Sequence, residues 1–442
     1  MARGGFPAAA RALFALLAGC ALLATLLQDR DATLRAARSP VVLCLGAIAV
    51  LSAASVLWTV GETAGAVRYG LVVAGYGALA TSAAVISQEL PGRTWLLATI
   101  AALAGASGLI GLIAAGAQEY SFGDRVGGSW EAGGLFEYGP ANAMLQVAAL
   151  PILLAAMAGD SRRLAVAAAA GAAIAGAVIG LSDSLYAQLA GLAVMALAVI
   201  YADRALGRRR IVALVAVVLI GASALGAHLV AGRYYPPCEL GGDGARLGAL
   251  AAILVVACAA WALVRSRLLA ERASLLGPVC VLVAATALAA GGALADPEGA
   301  CQARTEGVEP YAGLLHGRIA LWEAAADAAR DHPVLGGGAD TYGIVSAPYQ
   351  EGDHLLYAHN LPLELWTELG VAGAIAAVAL YAALAALLLR ARHSRVLWLI
   401  GPAVAGFALA NLVDFPWHLA GAGAIWALAL GVAIAATTPV NA

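Results

Sequence analysis

Residues 164–180 read LAVAAAAGAAIAGAVIG, an uncharged stretch of alanine, glycine and aliphatic side chains. As a helix rising about 1.5 Å per residue, such a run covers most of a hydrocarbon core about 30 Å thick. Its small residues let neighbouring helices approach closely in lipid, so it is expected inside a bundle. Twelve more apolar runs flank it, at 7–28, 40–60, 67–87, 94–116, 139–158, 184–202, 211–230, 247–266, 275–294, 361–389, 396–412 and 418–437. None shows the two-residue alternation of a membrane barrel. The fold class they predict is all-α, a polytopic membrane helix bundle of about 12–13 transmembrane helices.

Composition agrees with that reading. The 442 residues are 62% hydrophobic and 12% charged, against about 45–50% and about 25% in a soluble domain. This excludes a cytosolic globular enzyme, a nucleic-acid binder and a disordered chain. All 25 basic residues are arginine, so lysine chemistry is excluded. An anion must be held by arginine, histidine, backbone amides or helix N-termini.

The arginines give an orientation. Sixteen of the 25 fall in one set of loops, at 30–38, 93, 162–163, 204–210, 265–272 and 390–395. Those loops are assigned to the cytoplasm. Three domains follow in order: an N-terminal bundle at 1–294, a large extracytoplasmic loop containing short helices at 295–360, and C-terminal membrane helices at 361–442. Smaller outside loops fall at 117–139 and 231–246. The link at Ser182–Ser184 is expected outside, making 164–202 a tight hairpin. One conflict stands. Thirteen spans with a cytoplasmic C-terminus put the N-terminus outside, against Arg3 and Arg11. Either the first run is not a span, or a helix precedes the recorded start.

Loops of this length usually carry function. Within the large one, 314–330 (LLHGRIALWEAAADAAR) places Leu315, Ile319, Trp322 and Ala326 at helical spacing, and Gly336–Gly338 follow as a breaker. A short helix across the bundle mouth is expected. Cys238 and Cys301 sit in two outside loops, as a disulfide or as two thiols.

Arg318 lies on the expected loop helix. His359 and Asn360 end the loop, with Asn360 suited to cap the following span. A helix N-terminus beside His359 offers amides and positive dipole to an anion. Arg318, His359 and that helix end are candidates to converge on a phosphate at the membrane boundary. Blander readings stand beside this one. His359 also reads as a solvated loop histidine, and Arg318 as a surface partner of Glu323 or Asp327. Asn360 also reads as a cap alone, and Trp322 as an interfacial anchor. Glu364 and Glu368 suit an N-terminal helical turn, but Glu368 is deep enough to need a partner. Glu351, Asp353, His354 and His359 form a weaker divalent-ion reading, and no zinc pattern or HExxH is present. The expectation is no metal and no cofactor.

Several pieces together resemble the O-antigen ligase and polymerase family. They are His316-Gly-Arg318-Ile-Ala-Leu-Trp322, Asp331-His-Pro333-Val-Leu-Gly336-Gly-Gly338, His359-Asn-Leu-Pro-Leu-Glu364 and Glu368-Leu-Gly370. Gly139-Pro-Ala-Asn142 is similar to the family's motif opening a span, and Ser55-Val-Leu-Trp58 to its early helix end. The likeness covers roughly residues 40–435, and the 316–373 block is its specific part.

The resemblance implies an inverting, metal-independent glycosyltransferase of the inner membrane. Its donor would be a glycan on undecaprenyl diphosphate. Its acceptor would be a glycan or lipid hydroxyl on the outer side. Carried over by motif, Arg318 contacts the donor diphosphate and His359 activates the acceptor, and these two are the expected catalytic pair. Arg125, Asn142, Trp322, Asn360 and Glu364 are the expected substrate-binding residues. One departure stands out: Leu185 stands where the family has a hairpin arginine, so either Arg125 substitutes for it or the donor is held differently. Trp130, Tyr138, Tyr311, Tyr342 and Tyr357 are candidates to stack on sugars or to anchor at the interface. Expected partners are the lipid-linked donor, the acceptor and the bilayer, with no nucleic acid. A polymerase of the same family is the nearest alternative. A polysaccharide or lipid transporter is the rival class, but no internal repeat supports it.

Overall fold

The structure, a computed structural model, describes residues 8–117, 119–126, 129–158, 161–182, 184, 186–194, 318–350, 355–392 and 394–437. In chain order the helices are α1 (Ala8–Gln28), α2 (Arg30–Ala37), α3 (Pro40–Ala54), α4 (Thr63–Ile86), α5 (Leu90–Ala117), α6 (Gly139–Met157), α7 (Arg162–Leu181), α8 (Arg318–Asp331), α9 (Tyr342–Val345), α10 (Leu361–Ala391), α11 (Arg395–Ala410) and α12 (Ala420–Thr437). Between α5 and α6, strands β1 (Asp124–Val126) and β2 (Ser129–Glu131) form a small antiparallel ribbon. Among the described residues, α1, α3 with the 3-10 turn that extends it to Leu57, α4, α5, α6, α7, α10 and α12 are long and apolar enough to cross a membrane, while α11 is apolar but shorter. The protein is an all-α, multi-pass membrane protein. The expected runs at 211–230, 247–266 and 275–294 lie outside the described residues, as do Cys238, Cys301 and 295–317.

Exposure supports a lipid setting. Leu16 on α1 and Val378 on α10 are 63% and 70% exposed. In water such surface would cost about 25 cal/mol per Å², whereas lipid tails are as apolar as leucine.

The chain divides into two compact units, one made of residues 1–97 with 315–442 and the other of 98–314. The expected partition at 294 and 360 follows chain order, whereas the first unit joins both ends of the chain. In that unit α4 is the central helix. The Phe14 ring of α1 lies 5.5 Å from the Tyr76 ring, and Thr25 meets Ser82 further along both helices. Helices α1 and α4 therefore run in the same direction. Glycines set the spacing of α4 against its neighbours. A Cβ on Gly431 would come 2.5 Å from the Ala80 carbonyl, and one on Gly70 3.0 Å from that of Ala49. Tyr76 donates to the Trp417 carbonyl at 2.8 Å, tying α4 to the turn before α12.

Helix α10 is broken at Gly370, where φ is 62°. The turn 333–338 docks on that break. Gly337 N–H donates to Thr367 O (3.1 Å), Gly338 N–H to Glu368 O (2.7 Å) and Val371 N–H to Pro333 O (3.0 Å). A Cβ on Gly370 would meet Val334 O at 2.2 Å. The other side of the turn is held by the end of α3. Trp58 Nε1 donates to Leu335 O (2.9 Å), and Ala339 N–H donates to Ser55 Oγ (3.0 Å). The motif fragments 55–58, 333–338 and 368–370 thus form one clamp.

Helix α8 forms where expected but presents a different face. Its buried side is Leu321, Ala324, Ala325, Ala328 and Ala329, while Ile319 is exposed. Alanines allow close approach to α10, where Thr367 Oγ1 donates to Ala325 O at 3.0 Å. The larger Ile319 is turned away.

The second unit contains Asn142, wholly buried on α6. Its side chain accepts from Ser107 Oγ (2.8 Å), donates to Ala132 O (2.7 Å) and accepts from Gln146 Nε2 (3.1 Å).

Candidate active site

The turn between α11 and α12 organises the candidate site. Three consecutive carbonyls on it are each taken by a residue singled out in the sequence or by its neighbour. Leu361 N–H donates to Asn411 O (2.7 Å), Asn360 Nδ2 to Leu412 O (3.0 Å) and Arg318 Nε to Val413 O (2.9 Å). Asn360 also caps α10, its Oδ1 accepting from Leu363 N–H at 3.0 Å. One asparagine therefore starts the helix and fastens it to the turn.

The next residue on that turn is Asp414, its side chain wholly buried. Its Oδ1 lies 3.1 Å from His359 Nδ1. The approach is off the axis of a hydrogen bond, so the contact is an electrostatic one. His359 has a left-handed backbone, φ 51°, a conformation uncommon outside glycine and found at functional sites. Phe415 packs against its ring edge-on, with centroids 4.9 Å apart. The side chain is 14% exposed, so the solvated-loop reading does not hold. Of the two surface partners expected for Arg318, Glu323 and Asp327, Asp327 pairs with Arg330.

A second histidine lies beside the first. His418 Nε2 pairs with Glu364 Oε1, both side chains buried. Glu364 Oε2 accepts from Ala358 N–H at 3.1 Å. Tyr357 stacks on His418 (4.1 Å) and on Phe415 (5.1 Å), while the Tyr69 ring lies 5.7 Å from His418. Burial raises the Tyr357 hydroxyl pKa. The charge of Arg11 holds it back, and Asp340 and Glu364 push it further up. Asp340 itself has φ 63°. Glu368 Oε1 accepts from Thr341 and Tyr342 N–H at 2.9 Å each, while Oε2 is buried without a hydrogen-bond partner among the described residues.

Arg318, His359, Asn360 and Glu364 are thus gathered around the 411–418 turn. Glu364 is paired with His418 there. Trp322 is half-buried on α8, its Nε1 without a hydrogen-bond partner among the described residues. Arg125 and Asn142 belong to the other unit. Arg125 lies opposite Trp130 in the ribbon. Tyr342 and Trp130 are buried and present no face to a sugar. Glu351, Asp353 and His354 lie outside the described residues, and among the described residues no group of three or more potential metal ligands occurs.

Asp414 and His418 were not among the expected site residues. A signal was present: they are the only ionisable side chains between 396 and 437. A polar pair between two apolar runs is costly unless used.

The family model described as O-antigen ligase matches residues 240–378. That stretch holds Arg318, Trp322, His359, Asn360 and Glu364, and Asp414 and His418 lie beyond it. No curated protein matches the chain.

Proposed function

From the match of residues 240–378 to a family model described as O-antigen ligase, we propose that the chain transfers a glycan from undecaprenyl diphosphate to an acceptor hydroxyl. The proposed side is the outer face of the cytoplasmic membrane. The arginine bias supports that side. Arg30, Arg35 and Arg38 on and after α2, with Arg390 and Arg392 at the end of α10, lie at the helix ends opposite the His359 turn.

The observation that carries the reading is the His359–Asp414 contact, with Arg318 anchored on the adjacent carbonyl of Val413. Asp414 faces Nδ1 of His359, which leaves Nε2 as the basic nitrogen. Nε2 accepts the acceptor hydroxyl proton as its oxygen attacks the anomeric carbon. The bond from that carbon to the phosphate oxygen breaks, and the electron pair leaves with undecaprenyl diphosphate. A single displacement inverts the anomeric centre. Arg318, fixed through Nε, presents its planar fork to the charge that develops on the leaving diphosphate. Arginine can supply that neutralisation, so the reaction is proposed to need no metal.

The test is transfer by the purified protein from an undecaprenyl-diphosphate-linked glycan, with no energy source. His359→Ala is expected to abolish transfer, Arg318→Lys to cripple it, and EDTA to leave it intact. Full activity of His359→Ala would overturn the reading. A polymerase uses the same chemistry on a repeat-unit acceptor, and glycan analysis of a deletion strain separates the two. Loss of chain length marks a polymerase, while long chains left on the carrier mark a ligase.

A further inference from the structure

Helix α1 carries one charged residue, Arg11. The helix is peripheral, with Leu13, Leu16 and Leu17 exposed. Arg11 is on its other side. Arg11, Phe14, Ala18 and Thr25 repeat at helical spacing on the face that packs against α4, where Phe14 meets Tyr76 and Thr25 meets Ser82. The arginine is therefore turned toward the protein. There it lines a narrow cleft with Tyr69, Val72, Val73, Trp417 and His418. His418 belongs to the 411–418 turn, and the Tyr357 stacked on it lies two residues before His359.

The Arg11 guanidinium hydrogen-bonds the Tyr357 hydroxyl, while its Nε is buried without a hydrogen-bond partner among the described residues. No ion pair of Arg11 with a carboxylate occurs among them either. Glu364 is paired with the cleft residue His418. Leaving a partly buried guanidinium without a counter-ion is costly. The site also has a charge deficit. A diphosphate ester carries more negative charge than Arg318 alone neutralises, and the chain has no lysine.

We propose that Arg11 is a second anion-binding residue of the site, engaging a phosphate oxygen of the lipid-linked diphosphate from the α1 side of the cleft. This rests on the glycosyltransferase reading above. It also assigns the N-terminal end of α1 to the same membrane face as the active site. Arg11 thereby belongs to the site's cation supply and drops out of the orientation count. A phospholipid headgroup offers the same phosphate chemistry, and the test separates the two sources.

The full-length protein is placed in phosphatidylcholine nanodiscs. Undecaprenyl diphosphate binding is read by tryptophan fluorescence, with and without phosphatidylglycerol, for wild type, Arg11→Ala, Arg11→Gln and Arg318→Ala. Losing a charge-assisted contact is expected to weaken binding about 10- to 100-fold in both Arg11 variants. In turnover, the loss should fall mainly on KM for the donor. Wild-type affinity in both Arg11 variants, with Arg318→Ala impaired, overturns this inference and leaves the functional reading standing. Wild-type affinity in all three variants overturns both. Competition by phosphatidylglycerol that vanishes in the Arg11 variants makes the residue a headgroup contact and overturns it too. Failure of both Arg11 variants to fold, judged by size-exclusion and melting, makes the residue structural and likewise overturns the inference.

Discussion

His359 Nδ1 lies 3.1 Å from Asp414 Oδ1, across 55 residues of sequence and between the loop before α10 and the turn after α11. The carboxylate is buried and the imidazole nearly so. In the proposed reaction, a negative group facing Nδ1 would orient the ring and stabilise the imidazolium formed when Nε2 takes a proton.

Asp414→Asn keeps the volume and removes the charge. It is expected to lower the rate of transfer on the order of 10²- to 10⁴-fold, the range of a positioned base. Because the two residues act as a unit, adding His359→Ala should lower it little further. Single-turnover transfer measures both effects. An Asp414→Asn rate within a few-fold of wild type would remove Asp414 from the mechanism.

The neighbouring pair, His418 and Glu364, is predicted to be structural. Removing one member of a buried pair leaves the other uncompensated, at a cost of about 3–5 kcal/mol. Glu364→Gln and His418→Ala should each lower the melting temperature in detergent. The double variant Glu364→Leu with His418→Phe, which removes both charges and keeps the volume, should recover much of it. Equal losses in single and double variants would show that the pair is not coupled.

How much of this was legible in the sequence depends on range. The membrane helices were, because a run of apolar residues needs no distant partner to declare itself. The 316–364 block was also legible, since Arg318, His359 and Asn360 sit close in sequence with motif spacing. Asp414 and His418 are not legible because their partners, His359 and Glu364, lie more than 50 residues away in sequence. The face of α8 was misplaced because size favours Ile319 and Trp322, whereas close packing on α10 favours Ala325 and Ala328. Arg11 was ambiguous because counting charges by loop ignores a residue that turns inward from a span. Asn142 read as a binding residue because polarity at a helix start suggests a ligand, and in the structure its hydrogen bonds go to Ser107, Ala132 and Gln146.

The clamp at the α10 break predicts sharp glycine dependence. Gly336 (φ 67°) and Gly370 (φ 62°) both occupy the left-handed region, and a Cβ on either would lie within 2.3 Å of backbone atoms. Gly336→Ala and Gly370→Ala should each destabilise by at least about 1–3 kcal/mol, read as a lower melting temperature. Activity should fall as well, because the clamp positions the stretch of α10 that begins at Asn360. Gly19→Ala on α1 is the control. A Cβ there meets nothing within 4 Å, so replacing a helical glycine should be neutral or stabilising by up to about 1 kcal/mol. Similar effects at all three positions would mean that the break in α10 does not carry the site.

Tyr342 predicts an alkaline limit to stability. Its hydroxyl donates to Leu321 O at 3.0 Å and is buried between α8 and α10. Burial pushes its pKa up to about 12; the hydrogen bond with Ser346 offsets this and the charge of Glu364 adds to it. An unfolded tyrosine ionises near about 10. Between those values the folded state holds a proton that the unfolded state has lost, so stability falls as pH rises. The contribution is fully present below about pH 10 and is lost as pH approaches about 12. Melting curves at stepped pH should therefore fall more steeply above pH ~10 in wild type than in Tyr342→Phe, which has no proton to release. Parallel curves for the two proteins would mean that Tyr342 does not control the alkaline loss.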